Sequence, residues 1–539
     1  MSRGRLPPAT LLCNGVIHPR ADRPATVEAL LAFDGKVMAL GVEAELRRLW
    51  PGELRAHDLG GRTVLPGLCD AHLHLEKYAR SVSQIDCETP SRALCLERVR
   101  QRAAGAAPGE WILGHGWNQN DWGGHGSADE LDRVAPDNPV YLTAKSLHAA
   151  WVNRRALERA GVHAGTPDPP GGSILRTESG DPSGILLEGA MSLVAETIPA
   201  PSPEGVAEEI VVAQSRLWSM GITAVHDFDG PRCFRALQIL RERDDLRLRV
   251  LMSLPVDHLT QASALGLQSG FGDDWVRSGH VKIFADGALG PRTAAMFQPY
   301  DGEPGNTGIS LIDREGILEA GIAAALAGWP LAIHAIGDRA NHEVLEGLAA
   351  LRRYEQEHGL PRRRHRIEHL QLLHPDDVPR PAELGLVASM QPIHATSDMP
   401  MAERYWSGRT RFAYAWNSQR RRGVLLAFGS DAPVESPHPF AGVHAAVTRR
   451  RADGSPGPEG WIPEERLSLE DALAGFTIGP ARAAGWQDRL GRLEPGFFAD
   501  LIVLDADPYR IGPDALPGMR PVATMVAGAW VYPGTEPEF

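Results

Sequence analysis

Eight short apolar runs, each long enough for one buried strand, constrain this chain more than any other feature. They are Leu68–His74, Ile222–Asp227, Leu246–Leu254, His280–Asp286, Pro330–His334, His365–His369, Leu386–Gln391 and Val424–Asp431. Stretches rich in Ala, Leu, Arg and Glu, such as Ile317–Gly328 and Ala340–His358, lie between many of them. Buried strands alternating with helices predict an α/β fold, a (β/α)8 TIM barrel. Most of the runs end on a polar residue: His74, Asp227, Asp286, His334, His369, Gln391 or Asp431. In such a barrel the strand C-termini converge on one mouth, which is where these residues would meet.

The rhythm breaks once. About 150 residues separate the first two runs, too many for a βα loop, so an insertion after the first barrel strand is expected. Both chain ends read as β structure. Ala29–Phe33 and Lys36–Leu40 flank Asp34-Gly35, a hairpin signal, and Leu501–Leu504 and Ala523–Tyr532 are strand-like. Neither end makes a good sheet alone, so a small β-sandwich built from both termini is predicted. The expected division is 1–64 and 485–539 for the sandwich, 65–85 for the first barrel strand, 86–209 for an inserted lid or substrate subdomain, and 210–484 for the rest of the barrel.

Composition narrows the function. A net charge of −13 argues against nucleic-acid and anionic-membrane partners, leaving a small-molecule substrate. Arg362–Arg366 is the one basic run and reads as a solvated loop. No apolar run reaches the ~20 residues of a membrane span, and Met1–Ala9 lacks the apolar segment of a signal peptide. Five scattered cysteines without a CxxC pair fit a reducing cytoplasm. Whether the chain forms a homo-oligomer is left open.

His72 and His74 fall two apart on one strand, hence on one face, where two imidazoles can share a metal ion. Alone, the pair reads equally as two satisfied polar residues at a strand end. His334, His369 and Asp431 end other strands, and Lys282 lies within the fourth. Packing roles for all six together would require six independent polar intrusions into one barrel mouth. Only four of the 55 basic residues are lysine, so Lys282 in an apolar strand suggests amine chemistry that arginine cannot perform. Burial lowers a lysine pKa, and a neutral amine can add carbon dioxide to give a carbamate.

The motifs Pro66-Gly67-Leu68-Cys69-Asp70-Ala71-His72-Leu73-His74, Val281–Ala294, His334-Ala335-Ile336-Gly337-Asp338-Arg339-Ala340, Arg366-Ile367-Glu368-His369 and Gly429-Ser430-Asp431-Ala432-Pro433 carry a resemblance. With the terminal Gly491–Gly496 and Ala499-Asp500, they cover nearly the whole chain. The chain resembles the amidohydrolase superfamily in its amidohydrolase family 3 branch, and is similar to N-substituted formamide deformylases. The resemblance implies two divalent metal ions, most often zinc, with His72, His74 and Asp431 on one and His334 and His369 on the other. It further implies Lys282 carboxylated by carbon dioxide and bridging the pair, a metal-bridging hydroxide as nucleophile, and Asp431 as catalytic proton carrier. His148, Asp286 and Arg292 are candidate substrate-binding residues, with structural support the competing role for each.

The reading is a hydrolase of a non-peptide carbon–nitrogen bond, of amide or formamide type. A mononuclear deaminase is the alternative, and retention of Lys282 speaks against it. An esterase or lactonase would need the same site. A non-enzymatic barrel scaffold is expected to lose ligands, and none is lost here. Trp111, Trp117, Trp122 and Trp151 in the insert, with Trp406 and Trp416, hint at a bulky apolar substituent on the substrate, with the insert's own core the competing role for its four.

Overall fold

The computed structural model describes residues 7–537 and 539. Residues 1–6 of the Met1–Ala9 stretch lie outside the described residues. Eight parallel strands form one sheet: β1 (Leu68–Leu73), β2 (Ile222–Asp227), β3 (Arg249–Pro255), β4 (Val276–Phe284), β5 (Leu331–Ala335), β6 (Arg366–His369), β7 (Val387–Met390) and β8 (Leu425–Phe428). They pair in chain order, and every residue of β1, β2, β5, β6 and β7 is buried, as expected where helices cover the outside of a parallel sheet. The fold is the predicted α/β barrel. Its β4 starts four residues earlier than expected, and β8 stops at Phe428, leaving Gly429-Ser430-Asp431 as a loop.

The ring closes through that loop. Asp431 N donates to His72 O at 2.7 Å and His74 N to Ala432 O at 2.9 Å, so the loop that carries Asp431 is tied to the backbone of both expected histidine ligands, His72 and His74. Gly429 permits the approach: a Cβ there would lie 2.5 Å from His72 N. The barrel interior is polar in one layer. Arg366 reaches His226 Nδ1 at 2.8 Å, Ser389 Oγ at 2.5 Å and the Ala71 carbonyl at 2.7 Å, and pairs with Glu368.

The two ends of the chain share a β-sandwich. One sheet orders Lys36–Gly41, Ala29–Phe33, Ala9–Cys13 and Leu54–Asp58. The other orders Val16–Ile17, Thr63–Pro66, Leu501–Leu504, Pro521–Val526 and Ala529–Tyr532, joining N- and C-terminal strands by the antiparallel register Val64↔Val503. Leu12, Leu30, Val64, Val503 and Met525 fill the space between them. The expected hairpin turns at Asp34 and Gly35, both with positive φ (50° and 73°), the geometry that matches strand twist. The division at 64/65 needs correction, because strand Thr63–Pro66 runs through it and belongs whole to the sandwich.

The insert is a six-stranded mixed sheet ordered Gly172–Arg176, Pro182–Glu188, Ala149–Val152, Val140–Ala144, Ile112–Trp117 and Ile85–Asp86. Alternation gives it two cores: Leu142 and Trp151 face one, Tyr141 and Val152 the other. The division at 209/210 also needs correction. It cuts helix Pro203–Ser219, whose Val206, Ile210 and Leu217 pack with Leu237 and Leu240 as part of the barrel. Among the described residues, no helix is long and apolar enough to cross a membrane.

A buried ion pair fastens sandwich to barrel. Arg249 at the start of β3 holds Asp500 through Nε (2.5 Å) and Nη2 (2.9 Å), with both side chains excluded from water. The guanidinium also lies 3.5 Å from the Phe498 ring centre and 4.9 Å from that of Trp275. Removing one member of such a pair leaves an uncompensated buried charge. Asp500→Ala is expected to lower stability by ~3–5 kcal/mol in urea unfolding. A loss below ~1 kcal/mol would mean the pair is no fastener.

Candidate metal centre

The C-terminal ends of five strands bring His72, His74, Lys282, His334, His369 and Asp431 to one buried place at the barrel mouth. Three imidazoles are aimed there by their other nitrogen. His72 Nδ1 is 2.6 Å from Glu368 Oε2, His74 Nδ1 3.2 Å from Asp229 Oδ1, and His369 Nδ1 2.8 Å from Gln391 Oε1. Each partner is an acceptor, so each Nδ1 carries the proton and each Nε2 presents a lone pair to the centre. His334 is the exception: its Nε2 lies 3.0 Å from the Gly287 carbonyl, leaving Nδ1 as the nitrogen without that contact.

The presented atoms converge. Asp431 Oδ1 is 3.4 Å from His72 Nε2 and 3.6 Å from His74 Nε2. His72, His369 and Asp431 each offer a ligand atom within 4.8 Å of the others. The His334 and His369 rings are centred 4.5 Å apart. Lys282 Nζ is buried with no hydrogen-bond partner, 4.7 Å from the Phe228 ring centre and 4.6 Å from that of Phe284.

Electrostatics favour ligation. Burial, then the Lys282 ammonium, keeps His72 and His334 well below the usual imidazole range. Burial, then neighbouring His334 and His72, does the same to His369, and burial brings His74 to about 4. All four are neutral at pH 7, the form that binds metal. Burial lowers Lys282 to about 8 against the pull of Glu368 and Asp431, and raises Asp431 to about 7. Nitrogen donors clustered without protons, beside an orphaned buried amine and a carboxylate, fit a divalent metal site.

The backbone turns sharply at these ligands. Asp431 (φ 62°), His369 (φ 72°) and Leu370 (φ 44°) occupy the left-handed region without being glycine. At His369 this breaks strand alternation. Glu368 stays inside the barrel under His72, while His369 swings into the mouth beside it. Pattern reading, which puts neighbours on opposite faces, could not show that Glu368 serves His72.

His148, Asp286 and Arg292 take different places. His148 faces the cavity, its Nδ1 held 2.8 Å from Glu188 Oε2 and its ring centred 5.7 Å from that of His334. Burial opposes its protonation, but Glu188, Asp431 and Asp286 outweigh that and raise its pKa. Glu188, at the end of an insert strand, is itself held by Thr293 Oγ1. Asp286 is fully buried and accepts from Ala295 N (2.9 Å), Ile336 N (3.0 Å) and Gly337 N (2.8 Å), which pin the loops after β4 and β5. Arg292 pairs with Glu303 at 2.6 Å and lies over the Tyr405 ring. Neither Asp286 nor Arg292 lines the cavity, and the contacts of both fit the structural-support role.

His394, on helix Pro392–Tyr405 after β7, was not foreseen. Its Nε2 is buried without a hydrogen-bond partner, 3.9 Å from Asp431 Oδ2. Gln391-Pro392-Ile393-His394 was the available signal, since Pro at a first helical position marks a helix start at the strand end. Asp398, one turn further along, lines the same cavity. It accepts from Tyr414 Oη at 2.5 Å and Gln371 Nε2 at 3.2 Å.

The cavity above the cluster holds about 130 Å³. Lys145 stands in its wall, paired with Glu88 at 2.6 Å and Glu435 at 3.1 Å. The tryptophan hint needs correction. Trp406 and Trp416 are fully buried, and Trp117, Trp122 and Trp151 donate to the carbonyls of Leu142, Thr89 and Ser127 within the insert. Of these aromatics only Trp117 touches a cavity whose walls are otherwise largely polar.

Comparison with known proteins gives the chain's family. A profile described as "Amidohydrolase family" matches residues 55–532. The protein LONG AFTER FAR-RED 3 of Arabidopsis thaliana is 33% identical over 97% of this chain and 91% of its own length. The N-substituted formamide deformylase of Arthrobacter pascens is 28% identical over 97% of this chain and 98% of its own. A crystal structure titled as an uncharacterized metal-dependent hydrolase from Pyrococcus horikoshii superposes with a TM-score of 0.77 at 29% identity, covering 94% of this chain and 99% of that one. The chain belongs to the amidohydrolase family, in the branch its motifs indicated.

Proposed function

We propose that this protein is a metal-dependent hydrolase that cleaves a non-peptide carbon–nitrogen bond, of amide or formamide type, in a small molecule. The observation that carries the reading is Lys282. A buried amine without a partner, ringed by neutral imidazoles and facing Asp431, has a use as a metal-bridging carbamate and little use as an ammonium. His72, His74 and Asp431 would hold one metal and His334 and His369 the other. Zinc suits these nitrogen and oxygen donors. Divalent metals bound there supply polarisation of the scissile carbonyl and a lowered pKa for water.

The chain's own groups do the rest. Asp431 carries a proton from water to the leaving nitrogen, a role helped by burial that holds its pKa near 7. His148, its protonated form favoured by Glu188 against burial, stands on the insert side to donate a hydrogen bond to the substrate oxygen. The insert thus completes the site and excludes water, as a lid does. The small polar cavity favours a compact substrate. The full-length likeness to a formamide deformylase supports the choice of bond.

A substrate panel tests this. Metal-loaded protein should release amine and carboxylate from N-substituted formamides or small N-acyl amines faster than it hydrolyses matched esters. Ammonia release from amino-heterocycles with no amide turnover would overturn the reading in favour of a deaminase.

A further inference from the structure

A second cavity opens at the seam between insert and barrel, on the other side of the Asp431 loop from the metal centre. It holds about 340 Å³, a volume within the range of small-molecule sites. The barrel side supplies Lys77 and Arg80, from helix Leu75–Ser81, and Arg232, from helix Pro231–Glu242. The insert side supplies apolar surface, including Leu113, Tyr141 and Ile198. No carboxylate lines it, in a chain where acidic residues outnumber basic ones 68 to 55.

The cations differ in their partners. Arg232 is neutralised by Glu76, its Nε 2.7 Å from Oε1. Lys77, exposed, and Arg80, half-buried, three apart and so neighbours on one helix face, form no ion pair within 4.0 Å among the described residues. Glu209 feels the charge of Arg80 only across a longer gap. Two adjacent unpaired cations beside an apolar wall are complementary to one kind of molecule. A carboxylate would sit between the charges as a charge-assisted acceptor, and its apolar body would lie on Leu113 and Ile198.

Two lining residues reach back to the metal centre. Pro433 follows Asp431 by two positions, and its carbonyl takes a 2.8 Å contact from His115 Nε2 of the insert. Leu147 precedes His148 and is held at a φ of 61°, a left-handed backbone that a leucine adopts only under constraint. Residues in the second cavity therefore stand directly behind two groups of the first.

We propose that this seam cavity binds a small organic carboxylate with an apolar body, at a site separate from the metal centre. Titration of the metal-loaded protein with octanoate by calorimetry tests it, with acetate and octylamine as probes lacking the tail and the negative charge. Octanoate should saturate one site per chain. Acetate and octylamine should bind at least about tenfold more weakly, the effect expected from losing one charge-assisted contact or the apolar burial. The Lys77→Gln/Arg80→Gln double variant should weaken octanoate by about tenfold or more, with an unchanged melting temperature. Arg80→Glu alone should do the same by repulsion. Octanoate binding of undiminished strength in both variants would place it elsewhere and overturn the proposal. Absence of saturation at millimolar octanoate would overturn it too.

Discussion

Lys282→Ala is expected to lower hydrolysis by at least about a thousandfold, because on the proposed reading the centre would lose the group that bridges its metals. The variant should also purify with less metal than the parent. Lys282→Arg separates chemistry from charge. Arginine preserves a buried cation between Phe228 and Phe284 but forms no carbamate, so it should fail as completely as alanine. Activity within about tenfold of the parent in Lys282→Arg would refute the carbamate. The loading step has its own pH dependence. With a pKa lowered to about 8, the neutral fraction of the amine rises steeply between pH 7 and 9. Metal uptake by chelator-stripped protein should therefore quicken between pH 7 and 9, and quicken further with added bicarbonate. Rates flat in both would show that no carbamate forms.

The second large effect concerns Glu368, fully buried between Arg366 and His72. It pairs with Arg366 Nε at 2.5 Å and receives His72 Nδ1 at 2.6 Å. Glu368→Gln keeps the shape but strips the compensating charge from Arg366, at an expected cost of ~3–5 kcal/mol. It also weakens the hold on the His72 tautomer, which typically costs ~10–100-fold in metal affinity. Urea unfolding of metal-stripped protein isolates the first effect, and a competitive chelator titration measures the second. A stability change under ~1 kcal/mol, with unaltered affinity, would show that Glu368 is a bystander.

Much of the barrel was legible because its strands are buried on both faces and read as unbroken apolar runs. The candidate ligands were legible because each lies at or near the end of such a run, where a polar residue is conspicuous. Glu368 escaped notice because its role depends on the positive φ of His369, which no side-chain pattern encodes. His394 lies on a helix, outside the strand-end logic that found the others. Asp286 looked like a site residue because it ends an apolar run, yet its oxygens are taken by three backbone donors brought in by later loops. The tryptophans left two roles open because composition cannot tell a lining aromatic from a core one, and the core role is the one found for Trp151, Trp406 and Trp416. Chain divisions slipped where an element crosses them, since strand Thr63–Pro66 and helix Pro203–Ser219 get their membership from tertiary partners.

The most direct test of the account is metal content per chain, by elemental analysis of protein purified without chelator. Two divalent ions per chain, falling in Lys282→Ala, is the predicted result. One ion per chain, unchanged in that variant, would contradict a lysine-bridged pair and return the deaminase reading to the front.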